Sequence, residues 1–391
     1  MPFVIFGLTL LGVALFHHRA LTVALVGLFA AILLGFVEAP SASAGAEELF
    51  AHFGEEWVIL CNLLLLLLGF AILSNQFEQS KFPEAIPSRL PDGWMGGVVL
   101  LGITFCLSAF LDNIAAAIIG GVVANHVFPR GVTIGFQAAI VAAANAGGAG
   151  SVIGDTTTTM MWISGVSPLT LLPAFIGAFV SFAVFAPLAS IAQQKQSPLV
   201  HQDASGLAID WTRVSIVLFI LATIVAVNVI ANSFFPAHEE FAPVLGLALW
   251  TAILLSAPLR TPDWTVLREA IKGSLFLVTL VALASLMPVD QLPPPSQLSV
   301  LGLGFLSAVF DNIPLTALAL NQGGYDWALL AYAVGFGGSM VWFGSSAGVA
   351  LTNLFPAGRS VVGWLRQGWF IPLAYVLGFA ALAVTSPIFN G

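Results

Sequence analysis

Charge is scarce in this chain. Of 391 residues only 8% are Asp, Glu, Lys or Arg, against roughly 25% in a soluble domain. Such a chain cannot cover its surface with polar groups, which excludes an ordinary soluble protein. Basic residues are fewest, 11 against 19 acidic, and they form no patch, so nucleic acid is not an expected partner. Cysteine is almost missing. Cys61 and Cys106 both lie in apolar stretches, where they read as packing residues. No CxxC, HExxH or P-loop pattern is present. Without a nucleophile–base pair or a metal cluster, no enzyme and no cofactor are expected. The alternating pattern of an outer-membrane barrel is also lacking.

What remains is hydrophobic: 59% of the chain. The expectation is an all-α polytopic membrane protein in the lipid bilayer, because helices satisfy their own backbone groups in hydrocarbon. The opening "MPFVIFGLTLLGVALFHHRA" has no basic leader or small-residue cleavage site and reads as a retained first helix. At about 20 apolar residues per crossing, about ten spans are expected. They are 2–17, 20–37, 57–74, 132–163, 169–193, 213–232, 242–257, 272–289, 327–356 and 364–386.

Two stretches fit this scheme poorly, 95–127 and 298–322. A straight helix over the first would run about 50 Å, against a hydrocarbon core of about 30 Å. Each carries an Asp-Asn pair near its middle, in "LSAFLDNIAAAI" (Leu107–Ile118) and "LSAVFDNIPLTA" (Leu306–Ala317). Both are read as re-entrant hairpins, with tips at Asp112–Asn113 and Asp311–Asn312. With the N-terminus outside, all 11 basic residues then fall in cytoplasmic loops or at cytoplasmic ends, and the C-terminus is outside too. "EAPSASAGAEELFAHFGEE" and "PAHEEF" become outside loops. The protein is expected in the cell inner (plasma) membrane.

The halves then run in opposite directions. Residues 1–193 form a first inverted repeat, 194–212 a cytoplasmic linker and 213–391 a second repeat. In secondary transporters with inverted repeats, the site lies at mid-membrane between them. The span after each hairpin is broken as well. "NAGGAGSVIGDTTTTMMW" (Asn145–Trp162) matches "GFGGSMVWFGSSAGVALTN" (Gly335–Asn353). Gly147, Gly148 and Gly154 pair with Gly337, Gly338 and Gly344. The offset is 190 (344 − 154), against 199 (311 − 112) at the hairpin tips. Such glycines are expected to break the helices through positive φ and close backbone approach.

Asp112, Asp155 and Asp311 are the three carboxylates expected at membrane depth, with no Lys or Arg there to neutralise them. Intramembrane acids are costly and point to function. They suit two tasks. With Thr156, Thr157, Ser345 and Ser346 they supply oxygen ligands for a hard cation such as Na⁺ or Li⁺. They also bind protons, since burial favours the neutral acid. A plainer reading stays open: Asp112 and Asp311 cap the helices that follow them. His126 reads as interfacial; His17, His18, His52, His201 and His238 fall in loops or at span ends.

At these motifs the sequence resembles the ion transporter superfamily, and within it the NhaD-type sodium/proton antiporters. The likeness covers roughly 95–165 and 298–356. It implies exchange of Na⁺ or Li⁺ for H⁺, with these as transported partners and no cofactor. It also implies re-entrant hairpins, broken helices, an elevator-like motion and a homodimer. Asp112, Asn113, Asp155, Thr156, Asp311, Asn312, Ser345 and Ser346 would lie near the ion. "DNIAAA" lacks the hydroxyls the likeness leads one to expect. The alternative in the same superfamily is an anion or metalloid carrier for di- or tricarboxylates or arsenite. Dicarboxylate carriers of this class use Ser-Asn-Thr at the hairpin tips; Asp in place of that Ser would repel a carboxylate.

Overall fold

The computed structural model describes residues 1–16, 19–200, 208–234 and 242–389. The segment "PAHEEF" and His17, His18, His201 and His238 lie outside the described residues. All regular structure among the described residues is helical.

The first half opens with α1 (Pro2–Leu15), α2 (Ala20–Glu38) and α3 (Ala42–Gln79). Helix α3 starts earlier than expected and takes up most of the acidic stretch read as an outside loop. Ser41 caps it, accepting from Ala44 N at 3.2 Å, and Ala and Glu are strong helix formers. Its 38 residues amount to roughly 57 Å, well beyond the hydrocarbon core. Then come α4 (Trp94–Ser108), α5 (Asn113–Val127), α6 (Ile134–Gly148), α7 (Thr156–Ile163), the single turn α8 (Pro168–Leu171) and α9 (Ala174–Gln196).

The second half runs α10 (Trp211–Phe234), α11 (Val244–Ser256), α12 (Val266–Ser285), α13 (Gln297–Ser307), α14 (Asn312–Gln322), α15 (Trp327–Gly337) and α16 (Ser346–Leu354). It ends in α17 (Val361–Gln367) and α18 (Phe370–Phe389), which meet at a bend of 61°. Four described helices are long and apolar enough to cross a membrane alone: Ala20–Glu38, Ser43–Gln79, Pro168–Gln196 and Trp211–Asn228. The α17–α18 pair makes a fifth if counted as one span. Of the other expected spans, 2–17 and 242–257 fall on shorter apolar helices and 132–163 and 327–356 on interrupted ones, while 272–289 falls on the continuous 20-residue α12, whose first turns carry Arg268, Glu269 and Lys272. Large apolar side chains such as Phe29, Leu218, Leu254 and Val384 stand exposed, as a lipid-facing surface requires.

Two apolar cores organise the chain. One joins α4, α5, α6, α9, α13, α15, α16, α17 and α18 around Phe136, Ala142, Phe185, Tyr332, Phe336 and Tyr375. The other joins α1, α2, α3, α10, α11 and α12 around Leu63, Leu66, Ile224, Leu249, Ile253 and Leu283. Leu107, Val152, Phe310 and Leu320 pack against both, next to the hairpin tips and the first break. The halves interleave. Helix α5 packs on α16, and its counterpart α14 packs on α7, so each outgoing hairpin arm lies on the far end of the other half's broken helix.

The breaks differ from expectation in mechanism. Positive φ occurs at Gly93, Gly131, Gly165, Gly323 and Gly324, and at none of the break glycines. These serve close approach instead. A Cβ on Gly147 would sit 2.0 Å from the Phe105 carbonyl oxygen, and one on Gly337 2.1 Å from that of Gly304. A Cβ on Gly154 would fall 1.8 Å from the Ser108 oxygen, and one on Gly344 2.7 Å from that of Ala308. Gly148 and Gly338 face the carbonyls of Gly154 and Gly344, each at 2.7 Å from a built Cβ. The breaks are thus pressed onto the backbone at the ends of α4 and α13, where no side chain fits. Cys61 and Cys106 also depart from expectation, since both are exposed.

Candidate ion-binding site

Four helices begin at polar residues inside this assembly: α5 at Asp112, α7 at Asp155, α14 at Asp311 and α16 at Ser345. Their positive ends favour negative charge at each start. The two halves match closely in backbone. Asp112 has φ −52°, ψ 140° and Asp311 φ −52°, ψ 143°, while Asp155 has φ −142°, ψ 139° and Ser345 φ −144°, ψ 153°.

Asp155 is the buried centre, 1% exposed. Its Oδ2 accepts from Thr157 Oγ1 at 2.7 Å, and its Oδ1 from Thr157 N at 3.4 Å. Oδ1 also accepts from Asn113 Nδ2 at 3.2 Å, and the Asn312 amide donates to the same carboxylate. Asn113 Nδ2 donates in addition to Asn145 Oδ1 at 3.1 Å. Asn145 carries the network across the halves, donating to Ser339 Oγ at 2.9 Å and Ser345 Oγ at 3.2 Å. Asn113, Asn145, Thr157, Asn312, Ser339 and Ser345 are all buried. Thr156 opens α7 and is half-buried.

Asp311 is a true cap. Its Oδ1 accepts from Ile313 N at 3.1 Å, while Oδ2 accepts from Ser346 Oγ at 3.2 Å. Asp112 occupies the matching cap position without a side-chain cap bond, and lines a cavity of about 500 Å³ together with Ser346. None of the three carboxylates pairs with Lys, Arg or His among the described residues.

Asp112, Asp155 and Asp311 are the acids expected to supply oxygens to a cation, and the structure sets each at the start of its own helix. Among the described residues no three of His, Cys, Asp or Glu stand close enough to hold a metal ion jointly. Instead, one carboxylate sits among neutral amides and hydroxyls, a donor set that suits a hard cation. His126 is exposed and contacts the Val122 carbonyl, away from this network. Sequence reading overlooked Asn145, Ser339 and Gly335. Gly335 occupies the place of Asn145 in the second half, and a Cβ there would lie 3.0 Å from Asp155 Oδ2.

The CitMHS family, described as citrate transporter, matches residues 6–337. The chain belongs to this family. Among its relatives, sodium/proton antiporter 1 of Arabidopsis thaliana is 28% identical over 423 aligned positions, spanning 95% of this chain and 71% of the relative. The Na⁺/H⁺ antiporter NhaD of Vibrio parahaemolyticus is 28% identical over 376 positions, 80% of this chain and 87% of its own. NhaD of Vibrio cholerae is 27% identical over 408 positions, 88% and 82%. The family and these relatives are transporters rather than enzymes. The chain is therefore a multi-pass membrane transporter, of the cation/proton or a related kind, within the ion transporter superfamily.

Proposed function

We propose that this protein is a secondary transporter that exchanges Na⁺ or Li⁺ for H⁺. The observation that carries the reading is the setting of Asp155: a fully buried carboxylate, ringed by Asn113, Thr157 and Asn312, with no basic partner among the described residues. Deprotonated, it offers two oxygens to a bare cation; the Thr157 hydroxyl oxygen, and the Asn113 and Asn312 amide oxygens once those side chains turn from donating to the carboxylate, replace part of the hydration shell. Protonated, it needs no cation. Only one of the two occupants neutralises the carboxylate at a time, and that exclusion is what couples their movements. Asp112 and Asp311 flank this centre and take part as proton or cation relays; Asn113, Asn312, Ser345, Ser346 and Thr156 complete the oxygen lining.

The same reading takes 1–193 and 213–391 as inverted repeats, with both termini outside the plasma membrane, and the working unit as a homodimer. The antiporter names of the relatives support the choice of cargo. The family description and the four helix starts favour a second reading, citrate or another anion as substrate. The test is purified protein in liposomes, given Na⁺, Li⁺, K⁺ or citrate while internal pH is recorded. Cation-driven pH change is the expected result. Citrate uptake with no response to Na⁺ or Li⁺ would establish the anion reading instead.

A further inference from the structure

The cavity that reaches Asp112 has a composition of its own. It lies between α3 and α12 on one side and the start of α5 with Ser346 of α16 on the other. It is lined by Asp112 and by Ser346, whose hydroxyl donates to Asp311 beyond the wall. Its rim carries Glu78 from α3 and Glu269 from α12, both exposed, with Asn75, Ser74 and Ser274 along the wall. Among the described residues its charged lining is Glu78, Glu269 and Asp112, with no Lys, Arg or His. Lys81 follows Glu78 by three residues, and Arg268 and Lys272 flank Glu269; none of the three is among the lining residues, and by the distribution of basic residues they put this end on the cytoplasmic side.

We propose that this cavity is the cytoplasmic antechamber for the cation, with Glu78 and Glu269 as the residues that select charge at its mouth. A cleft lined by one sign of charge between low-dielectric walls concentrates the opposite ion and excludes the like one. Cations are therefore drawn towards Asp112, and a tricarboxylate is repelled before it reaches the helix starts. Glu78 and Glu269 act through the local field and do not hold the ion. The inference rests on the cation reading for its transport consequence, but the charge selection can be measured without transport.

The experiment places a single cysteine at Ala270, on the cavity wall, after replacing Cys61 and Cys106. Its reaction rates with a cationic and an anionic methanethiosulfonate are compared, applied from the cytoplasmic side. The cationic reagent should react faster by roughly tenfold or more at low ionic strength. Glu78→Gln with Glu269→Gln should bring the two rates together, as should high salt. Equal rates in the parent protein, or a preference untouched by the double substitution, would overturn the proposal. In liposomes the double variant should raise the cytoplasmic KM for Na⁺ several-fold at low ionic strength while keeping the maximal rate. An equal change in KM on both sides of the membrane would also overturn it. If the parent moves no Na⁺ yet shows the charge preference, the cation-exchange reading fails and the antechamber stands.

Discussion

Asp155 Oδ2 lies against the backbone of Gly335, so that a methyl there would sit only 3.0 Å away. Gly335 is the counterpart of Asn145, and Asn145 reaches Ser345, the counterpart of Asp155. The two halves thus solve one contact in two ways: a large amide against a small hydroxyl, and a carboxylate against no side chain at all. This exchange of sizes puts a carboxylate at one of the two matching positions and a hydroxyl at the other. Gly335→Ala should leave folding intact, because the crowding falls on a side-chain oxygen. It should raise the KM for Na⁺ or Li⁺ by displacing that oxygen. Liposome exchange kinetics on the folded variant check this.

Gly154→Ala should behave differently. Its Cβ would fall 1.8 Å from the Ser108 carbonyl oxygen, which cannot move without displacing the end of α4. Loss of folded, detergent-stable protein is expected, measured by size-exclusion chromatography and thermal unfolding.

Asp155→Asn should abolish exchange and leave the fold in place, since an amide can keep one acceptor and the shape of the cap. Thr157→Val should weaken exchange without abolishing it. A hydrogen bond to a charged group contributes about 1.5–3 kcal/mol, so the apparent cation affinity should shift by roughly tenfold or more. Asp311→Asn should separate cap from relay: a cap tolerates Asn, whereas a proton or cation relay does not. Initial rates of cation-driven pH change for the three variants decide between these roles.

Protons and cations that share Asp155 must compete. Metal ions bind the deprotonated form, so lowering pH weakens apparent cation affinity and raising pH strengthens it. The KM for Na⁺ or Li⁺ should fall steeply as pH rises, with far less change in maximal rate, until deprotonation is complete. Rates against cation concentration at several pH values test this. A KM independent of pH would mean that the two ions do not share a site.

The orientation of the hairpin is open to direct test. Cysteines replacing Arg89 and Arg130, both exposed, should resist impermeant thiol reagents in intact cells, while one replacing the exposed Glu47 should react. Cys61 and Cys106 must be replaced first, because both are exposed. Labelling of residues 89 and 130 from opposite sides would remove the first hairpin.

Much of the site could be read from the chain because charge in an apolar run is conspicuous. Asp112, Asp155 and Asp311 stood out for that reason, and the paired glycines because they recur. Asn145 did not stand out. It is neutral, sits among alanines, and has glycine as its counterpart, so a search for repeated residues passes over it. The length of α3 was hidden for a related reason. Glu47, Glu48, Glu55 and Glu56 look like loop on a hydropathy scale, yet a helix that leaves the bilayer has no need to stay apolar. The break glycines were legible as breaks, but whether a glycine supplies an unusual φ or simply vacates space depends on what lies opposite, which is a tertiary fact.

The crossing of α5 onto α16 and of α14 onto α7 also governs how the protein can be made. When α7 leaves the ribosome, the helix that will cover it lies some 150 residues further along (312 − 163) and has not been synthesised. Until then Asn145 lacks its contacts with Ser339 and Ser345, and Asp155 its contact with Asn312. A half-length chain is consequently an open socket in the bilayer, its polar tip facing lipid or water. Assembly ends with a late, long-range closure that depends on the whole of the second half. A truncated product should for that reason be a marked substrate for membrane proteases, and two separately expressed halves should rescue one another only when present together.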